Sequence, residues 1–335
     1  MRIVMIGGTG FLGYFTCAEL LRRGHEVVAV GLRPPAPGQM PAGANIALLN
    51  TNDCTDSEFA ALLKGCDAVI HAAGADGRNA FPAPAIDGFR AANVDSMRRL
   101  MTAMKAVCCR RMVIFGSYYT ALDRLFPKLG FMTGNPYPLS RKEQTELAFS
   151  LAGPDMHVSV LELPYIFGGA PGRGTLWQFY MDHVENNDPD VPVPAGGSAC
   201  VTARQVAMAA AGACERSEGR REYPIGSENL SYAEIYGLFA DAMGLSRTYI
   251  AKPSAPAIAA AEAQRAKLAG SGTETGYDPV SVARWQEQFL YVDPAPAMQA
   301  LGFGPDNLAA AIRDTVEATR RHGGQGPASL SKPKS

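Results

Sequence analysis

Three glycines spaced three apart, Gly7, Gly10 and Gly13, follow an apolar run, Ile3 to Ile6, and lead into apolar positions at helical spacing, Phe11, Phe15, Ala18 and Leu21. The run reads as a buried strand and the later spacing as a helix, so the glycines mark a strand-to-helix turn. The backbone N–H groups that open a helix lack intrahelical partners and carry the positive end of its dipole, so such a turn is chemically suited to phosphate. Gly7 would permit the tight turn, Gly10 the close approach of backbone to a pyrophosphate, and Gly13 the packing of helix on strand. The competing reading is a glycine-rich turn that holds nothing.

The elements that must position such a turn follow along the chain. Val27 to Val30 and Ile46 to Leu49 read as the second and third strands, Ala68 to His71 as the fourth, Met112 to Phe115 as the fifth and Val158 to Leu161 as the sixth. Helical spacing fills Ser57 to Lys64, Phe89 to Val107 and the stretch after Tyr137. Strands alternating with helices predict an α/β fold, a Rossmann-type doubly wound parallel sheet with right-handed crossovers. After Phe167 glycine and proline crowd 168–174 and 189–197, and helices resume at Ala203–Arg216, Tyr232–Met243, Pro256–Leu268 and Asn307–Arg321. The expected division is therefore 1–167 as a dinucleotide-binding domain and 168–322 as a smaller, mostly helical substrate region. Residues of about 200–228 are expected to return to the first domain, and 323–335 reads as a polar, flexible tail.

Composition excludes several classes of partner. With 47% hydrophobic and 19% charged residues and a formal net charge of -1, the chain has no broad attraction for nucleic acid or anionic membrane. The paired arginines at 98–99, 110–111 and 220–221 read as solvated faces. No apolar run approaches the roughly 18 residues that span a bilayer. The N-terminal residues do not read as a signal peptide, because their apolar stretch is short and runs straight into glycine. Seven cysteines without metal-ligand spacing fit free thiols in a reducing compartment, and a cytoplasmic location is expected.

Several landmarks together resemble the extended short-chain dehydrogenase/reductases, including the NAD(P)-dependent epimerases and dehydratases. They are the glycine turn, Asn52-Asp53-x-x-Asp56, His71-Ala72-Ala73-Gly74, Asn93-Val94-Asp95-Ser96, and Ser117 with Tyr137. Tyr223-Pro224-Ile225-Gly226 and Ala300-Leu301-Gly302-Phe303-Gly304-Pro305 extend the resemblance to about residue 320. It implies cofactor contacts from Gly7, Thr9, Gly10, Phe11, Leu12 and Gly13, then from Asp53, Cys54, Ala72, Ala73, Gly74, Asn93, Pro164 and Ile166. His71 reads instead as a satisfied core histidine. A homodimer through the helices containing Asn93 and Lys142 is also implied.

The resemblance further implies a Ser–Tyr–Lys catalytic set, here Ser117 and Tyr137, in which the phenol moves a proton while hydride moves at the cofactor. A phenol ordinarily ionises near pH 10, so a neighbouring cation must favour the phenolate. The family's lysine lies four residues after the tyrosine, where this chain has Arg141, with Lys142 one position later. On an ideal helix a residue four along is rotated by roughly 40° and one five along by roughly 140°. Arg141 is the expected cation and Lys142 the alternative. Arginine keeps the charge but cannot relay a proton.

Cofactor choice rests on the end of the second strand, Val30-Gly31-Leu32-Arg33. A carboxylate there would bond the ribose hydroxyls of NAD, whereas an arginine suits a 2′-phosphate. NADP is expected, with NAD as the alternative. Nucleotide-sugar members of the family usually carry Arg and Asn where this chain has Glu162 and Tyr165. The leading expectation is an oxidoreductase acting on a small carbonyl or alcohol, with no metal. The alternatives are a nucleotide-sugar epimerase or dehydratase with retained NAD, and a non-catalytic cofactor-binding sensor.

Overall fold

The computed structural model describes residues 1–252 and 254–324. The predicted tail therefore lies, apart from Gly323 and Gly324, outside the described residues. The first half runs β1 (Arg2–Ile6), α1 (Phe11–Arg22), β2 (Glu26–Gly31), β3 (Asn45–Leu48), α2 (Asp56–Leu63), β4 (Ala68–His71) and β5 (Ala80–Pro82). It continues through α3 (Ile86–Arg90), a π-helical turn at Ala91–Asp95, α4 (Ser96–Ala106), β6 (Arg111–Ser117), α5 (Tyr118–Leu125), α6 (Pro136–Leu151) and β7 (His157–Leu163).

After β7 come β8 (Tyr165–Phe167), α7 (Gln178–Asn186), β9 (Asp190–Val193), β10 (Gly197–Thr202), α8 (Ala203–Arg216) and β11 (Arg220–Pro224). Then follow β12 (Glu228–Ser231), α9 (Tyr232–Met243), β13 (Thr248–Ala251), α10 (Ser254–Gly270), β14 (Thr273–Thr275) and α11 (Pro279–Trp285). The last elements are β15 (Phe289–Leu290), α12 (Ala295–Leu301) and α13 (Leu308–His322).

The fold is α/β, built on a seven-stranded sheet in the order β11-β7-β6-β4-β1-β2-β3. Every pairing in it is parallel. Its central strands β1, β2 and β4 are apolar on both faces because both faces are covered. Ile3, Met5, Val27, Ala29 and Ile70 pack with α1 and α8 on one side. Val4, Ile6, Val28, Val30 and Val69 pack against α2, α4 and α6 on the other. The chain leaves β1 through α1 to β2 on one flank and returns from β3 through α2 to β4 on the other, so a crevice opens at the carboxyl ends of β1 and β4.

The later half is less helical than its sequence pattern predicts. A second sheet, β12-β10-β15 with β8 added to β10, sits beside α7, α9 and α13. These strands are short, and partners distant in sequence stabilise them. The pairs β5–β14 and β9–β13 do the same elsewhere. Local chemistry still sets the helix starts: Thr202 with Gln205 and Ser231 with Glu234 form reciprocal capping boxes. Among the described residues no helix is long and apolar enough to cross a membrane.

Candidate functional site

The glycine turn stands at the crevice. Gly7 adopts φ +82°, and a side chain there would meet the Ala72 carbonyl carbon at 2.9 Å, so β1 and β4 approach as only glycine allows. A Cβ on Gly13 would fall 2.1 Å from the Gly8 carbonyl oxygen, which is why α1 lies so close to the turn. Gly10 differs. A Cβ there meets only the Gly7 oxygen, at 3.1 Å, and otherwise points into open space. Among the described residues no side chain caps α1, and its first turn holds no acidic residue, so the N–H groups at Phe11, Leu12 and Gly13 face that space. A pyrophosphate fits this cradle by both shape and charge.

The exits of the neighbouring strands define the rest of the crevice. Thr9 packs so tightly on Gly31 that a Cβ at Gly31 would meet Thr9 Oγ1 at 2.1 Å. Arg33, two residues on, is exposed and pairs with nothing among the described residues. Asp53 is exposed and accepts from Asn50 Nδ2 at 2.5 Å, whereas Cys54 is buried. Arg99 holds this loop by donating to the carbonyls of Thr51, Asn52 and Cys54. Arg99 is thus a loop tether rather than part of a solvated face. Arg111 similarly donates to the Ser217 carbonyl at 2.9 Å.

Beyond β4, Ala72 and Ala73 line the exit and Gly74 has φ +133°. Asn93, fully buried in the π-helical turn, holds the next residue. Its Oδ1 accepts from the Ala75 N–H at 2.9 Å, and its Nδ2 donates to the Ala75 carbonyl and to Ser140 Oγ. Gln144 Nε2 in turn donates to the Asn93 carbonyl at 2.8 Å. The amide, unfavourable in a helix interior on propensity alone, therefore ties the β4 exit to α6.

Ser117 ends β6 and caps α5, accepting from the Tyr119 N–H at 3.4 Å. Tyr137 lies in the first turn of α6, half-buried, with its N–H bonded to the Gly276 carbonyl at 3.0 Å. The Arg141 guanidinium carbon is 6.0 Å from the centre of the Tyr137 ring. Arg141 is only 6% exposed and donates through Nη2 to the Phe115 carbonyl; its Nε has no partner. Lys142 faces the other way, its Nζ 3.1 Å from Asp123 Oδ2 and its side chain 44% exposed. His71 is buried, and desolvation, aided by Arg141, pushes its pKa down to about 3. The ring is therefore neutral near pH 7, and its Nδ1 lacks a partner, so it is not the satisfied histidine expected.

Pro164 is buried between β7 and β8, while Ile166 lies on β8 opposite Val201. Glu162 is fully buried and held by Arg124 at 2.7 and 2.8 Å and by the Thr120 hydroxyl. Burial nonetheless pushes its carboxyl up to about 7.

The structure also reveals a roof over Tyr137. Tyr277 lies 5.5 Å from the Tyr137 ring and 5.3 Å from Tyr119, and Trp285 and Phe131 back it. Gly276 permits this approach, since a Cβ there would strike the Gly77 Cα and the Tyr137 Cβ at 2.6 Å. The only sequence signal was an aromatic in a polar Gly/Thr segment just before the Asp278-Pro279 helix start. Phe131 and Tyr180 are core residues, whereas Phe179 is exposed. Among the described residues no His/Cys/Asp/Glu cluster is arranged for a metal.

Residues 3–175 match the family model described as the NAD dependent epimerase/dehydratase family. The chain belongs to this family. Over 79 residues, 24% of its length, it is 39% identical to the uncharacterized protein Rv2047c of Mycobacterium tuberculosis (strain ATCC 25618 / H37Rv). It is equally similar to Mb2073c of Mycobacterium bovis, and in both cases the match spans 9% of the relative's length. Among solved structures it resembles MoeE5 in complex with UDP-glucuronic acid and NAD, with TM-score 0.66 and 18% identity over 96% of this chain and 99% of that one. It also resembles gox2253, with TM-score 0.70 and 19% identity over 96% and 98%. The UDP-N-acetylglucosamine 4-epimerase from Methanobrevibacter ruminantium M1 gives TM-score 0.67 and 14% identity over 96% and 98%. At these identities the likeness is one of fold.

Proposed function

We propose that the chain is an NAD(P)-dependent enzyme that oxidises a carbinol carbon of a small-molecule substrate to a carbonyl and reduces it again. In this reading 1–167 holds the dinucleotide and 168–322 contributes most of the substrate contacts. The observation that carries the proposal is the inward placement of Arg141 beside Tyr137, at the carboxyl edge where the glycine cradle opens. The Tyr137 phenol oxygen, beside the Arg141 guanidinium, takes the proton from the substrate hydroxyl and returns it later. Ser117 Oγ holds the substrate oxygen. A bound nicotinamide supplies the hydride acceptor and donor. The cradle of Gly7, Thr9, Gly10, Phe11, Leu12 and Gly13 would seat its phosphates. Asp53, Cys54, Ala72, Ala73, Gly74, Asn93, Pro164 and Ile166 would flank the rest.

Two versions of this chemistry differ in the fate of the hydride. Solved structures of this fold hold UDP-sugars with NAD, which favours a nucleotide-sugar epimerase or dehydratase that regenerates its cofactor. A net oxidoreductase acting on a small carbonyl is favoured by Glu162, locked to Arg124 where nucleotide-sugar members usually carry a free arginine, and by the aromatic roof. Arg33 favours NADP in that second version. Protein purified without added cofactor should be denatured and its supernatant assayed for dinucleotide. Retained NAD with turnover of a UDP-sugar, and no net cofactor consumption, supports the epimerase version. Stoichiometric NADPH loss with a carbonyl panel supports the oxidoreductase. Failure to bind either dinucleotide refutes both.

A further inference from the structure

Arg173 is a buried cation without a counter-ion. The residue is only 9% exposed, and among the described residues it forms no ion pair. Its Nη2 donates to the Thr9 carbonyl at 2.6 Å, within the glycine turn, and its Nη1 to the Gln39 carbonyl at 2.9 Å. Two carbonyls and the Met40 thioether, 3.9 Å from Nη2, leave part of a five-donor guanidinium unused, and among the described residues no carboxylate pairs with it. Burial accordingly pulls its pKa down. A buried, unpaired charge is unfavourable, so its position calls for a physical explanation.

The surrounding backbone is built to hold it there. The loop after β8 is fastened from behind to α13, with Gly168 N–H on Thr315 Oγ1 at 2.8 Å and Thr175 Oγ1 on Thr319 Oγ1 at 2.6 Å. From the front, Gln39 Nε2 donates to the Gly172 carbonyl at 2.8 Å, linking this loop to the one that follows β2. Gly172, at φ +65°, accepts that contact only because it lacks a Cβ, which would lie 2.8 Å from Gln39 Nε2. Two loops from opposite halves of the chain thus meet over the glycine turn and place one guanidinium on its rim.

We propose that Arg173 is a phosphate ligand for the dinucleotide, acting from the loop after β8 together with the helix N-terminus. This rests on the reading that the glycine cradle seats NAD(P). The contacted phosphate is either the pyrophosphate or a 2′-phosphate, and fragments separate the two. Calorimetry on the full chain would compare wild type, Arg173→Gln and Arg173→Lys against NAD+, NADP+, ADP-ribose, adenosine 2′-monophosphate and adenosine.

A charge-assisted contact predicts a roughly ten- to hundredfold loss in Arg173→Gln for the phosphorylated probe it touches, and none for adenosine. Loss on ADP-ribose and NAD+ assigns the pyrophosphate. Loss confined to adenosine 2′-monophosphate and NADP+ assigns the 2′-phosphate. Gln39→Ala removes the loop tie but keeps the cation, and should give a smaller loss. Unchanged affinities in Arg173→Gln, or equal losses for adenosine and phosphorylated probes, overturn the clamp while the cradle stands. If Arg173→Gln does not fold, Arg173→Lys decides, because one ammonium cannot reproduce the guanidinium fork. An Arg173→Lys affinity equal to wild type for every probe would then overturn it. Wild-type protein that binds neither dinucleotide would refute the cradle itself.

Discussion

Gly10 and Gly13 should fail for different reasons when substituted, and the difference tests the cradle directly. A Cβ at Gly13 would lie 2.1 Å from the Gly8 oxygen and 2.4 Å from its carbon, so α1 must retreat by about 1 Å from the turn. A clash with backbone lies at the upper end of overpacking, about 3 kcal/mol, against which alanine's helix propensity returns about 1 kcal/mol. With unfolding entropy of about 2.1 cal/mol/K per residue, a chain of 335 residues loses about 3 °C of Tm for a net 2 kcal/mol. Gly13→Ala should therefore melt a few degrees early. Gly10 has φ -82°, which any residue adopts, and its added Cβ meets a single atom at 3.1 Å. Gly10→Val should keep its Tm within about 1 °C, yet lose dinucleotide affinity by about a hundredfold or more as the side chain fills the phosphate seat. Thermal melts and calorimetry on both variants check this. Wild-type affinity in Gly10→Val would place the phosphates elsewhere, and an unchanged Tm in Gly13→Ala would refute the packing argument.

Further outcomes are expected at the catalytic set, at Glu162 and at Arg33. Tyr137→Phe should abolish turnover with cofactor affinity nearly intact. Arg141→Ala should cut turnover sharply, whereas Lys142→Ala, losing an exposed pair, should leave turnover intact and cost about 0–1 kcal/mol of stability; steady-state kinetics and urea melts check all three, and an essential Lys142 would refute the assignment. Glu162, raised to about 7 by burial, binds its proton more tightly folded than unfolded, so stability should fall by on the order of 3 kcal/mol as pH rises from about 4.5 to 7. Glu162→Gln should flatten that slope in denaturation series at pH 5, 6, 7 and 8, and an identical profile in the variant would refute it. Arg33→Ala should weaken NADPH by about 1.5–3 kcal/mol and leave NADH unchanged by calorimetry; equal losses would show that Arg33 does not read the 2′-phosphate.

The sheet was legible because parallel strands buried on both faces carry a continuous apolar signal that ends at glycine. Edge strand β3, with Asn45, Ile46 and Leu48 exposed, lacks that signal and starts one residue earlier than its pattern implies. The short strands of the second half were invisible for a related reason. Thr273–Thr275 becomes a strand by pairing with Ala80–Pro82, a contact that local propensity does not encode. Tyr277 reaches Tyr137 through that pairing, so the roof was hidden with it. Arg99 and Arg111 misled in another way, because their partners are backbone carbonyls, which leave no mark on a sequence.

The opposed placements of Arg141 and Lys142 follow from helix geometry alone, since one residue turns the helix by about 100°. What that geometry could not supply is the electrostatic consequence. Lys142 is neutralised by Asp123 at the surface, while Arg141 bonds a carbonyl and has no ion-pair partner among the described residues. Arg173 is in the same condition over the glycine turn. The chain as a whole is almost uncharged, at -1, so this field is local. Among the described residues, two buried guanidinium groups without ion-pair partners and one helix N-terminus without a side-chain cap all sit at the carboxyl edge of the sheet. Each is unfavourable in isolation, and an anionic ligand lying along that edge would offset all three together.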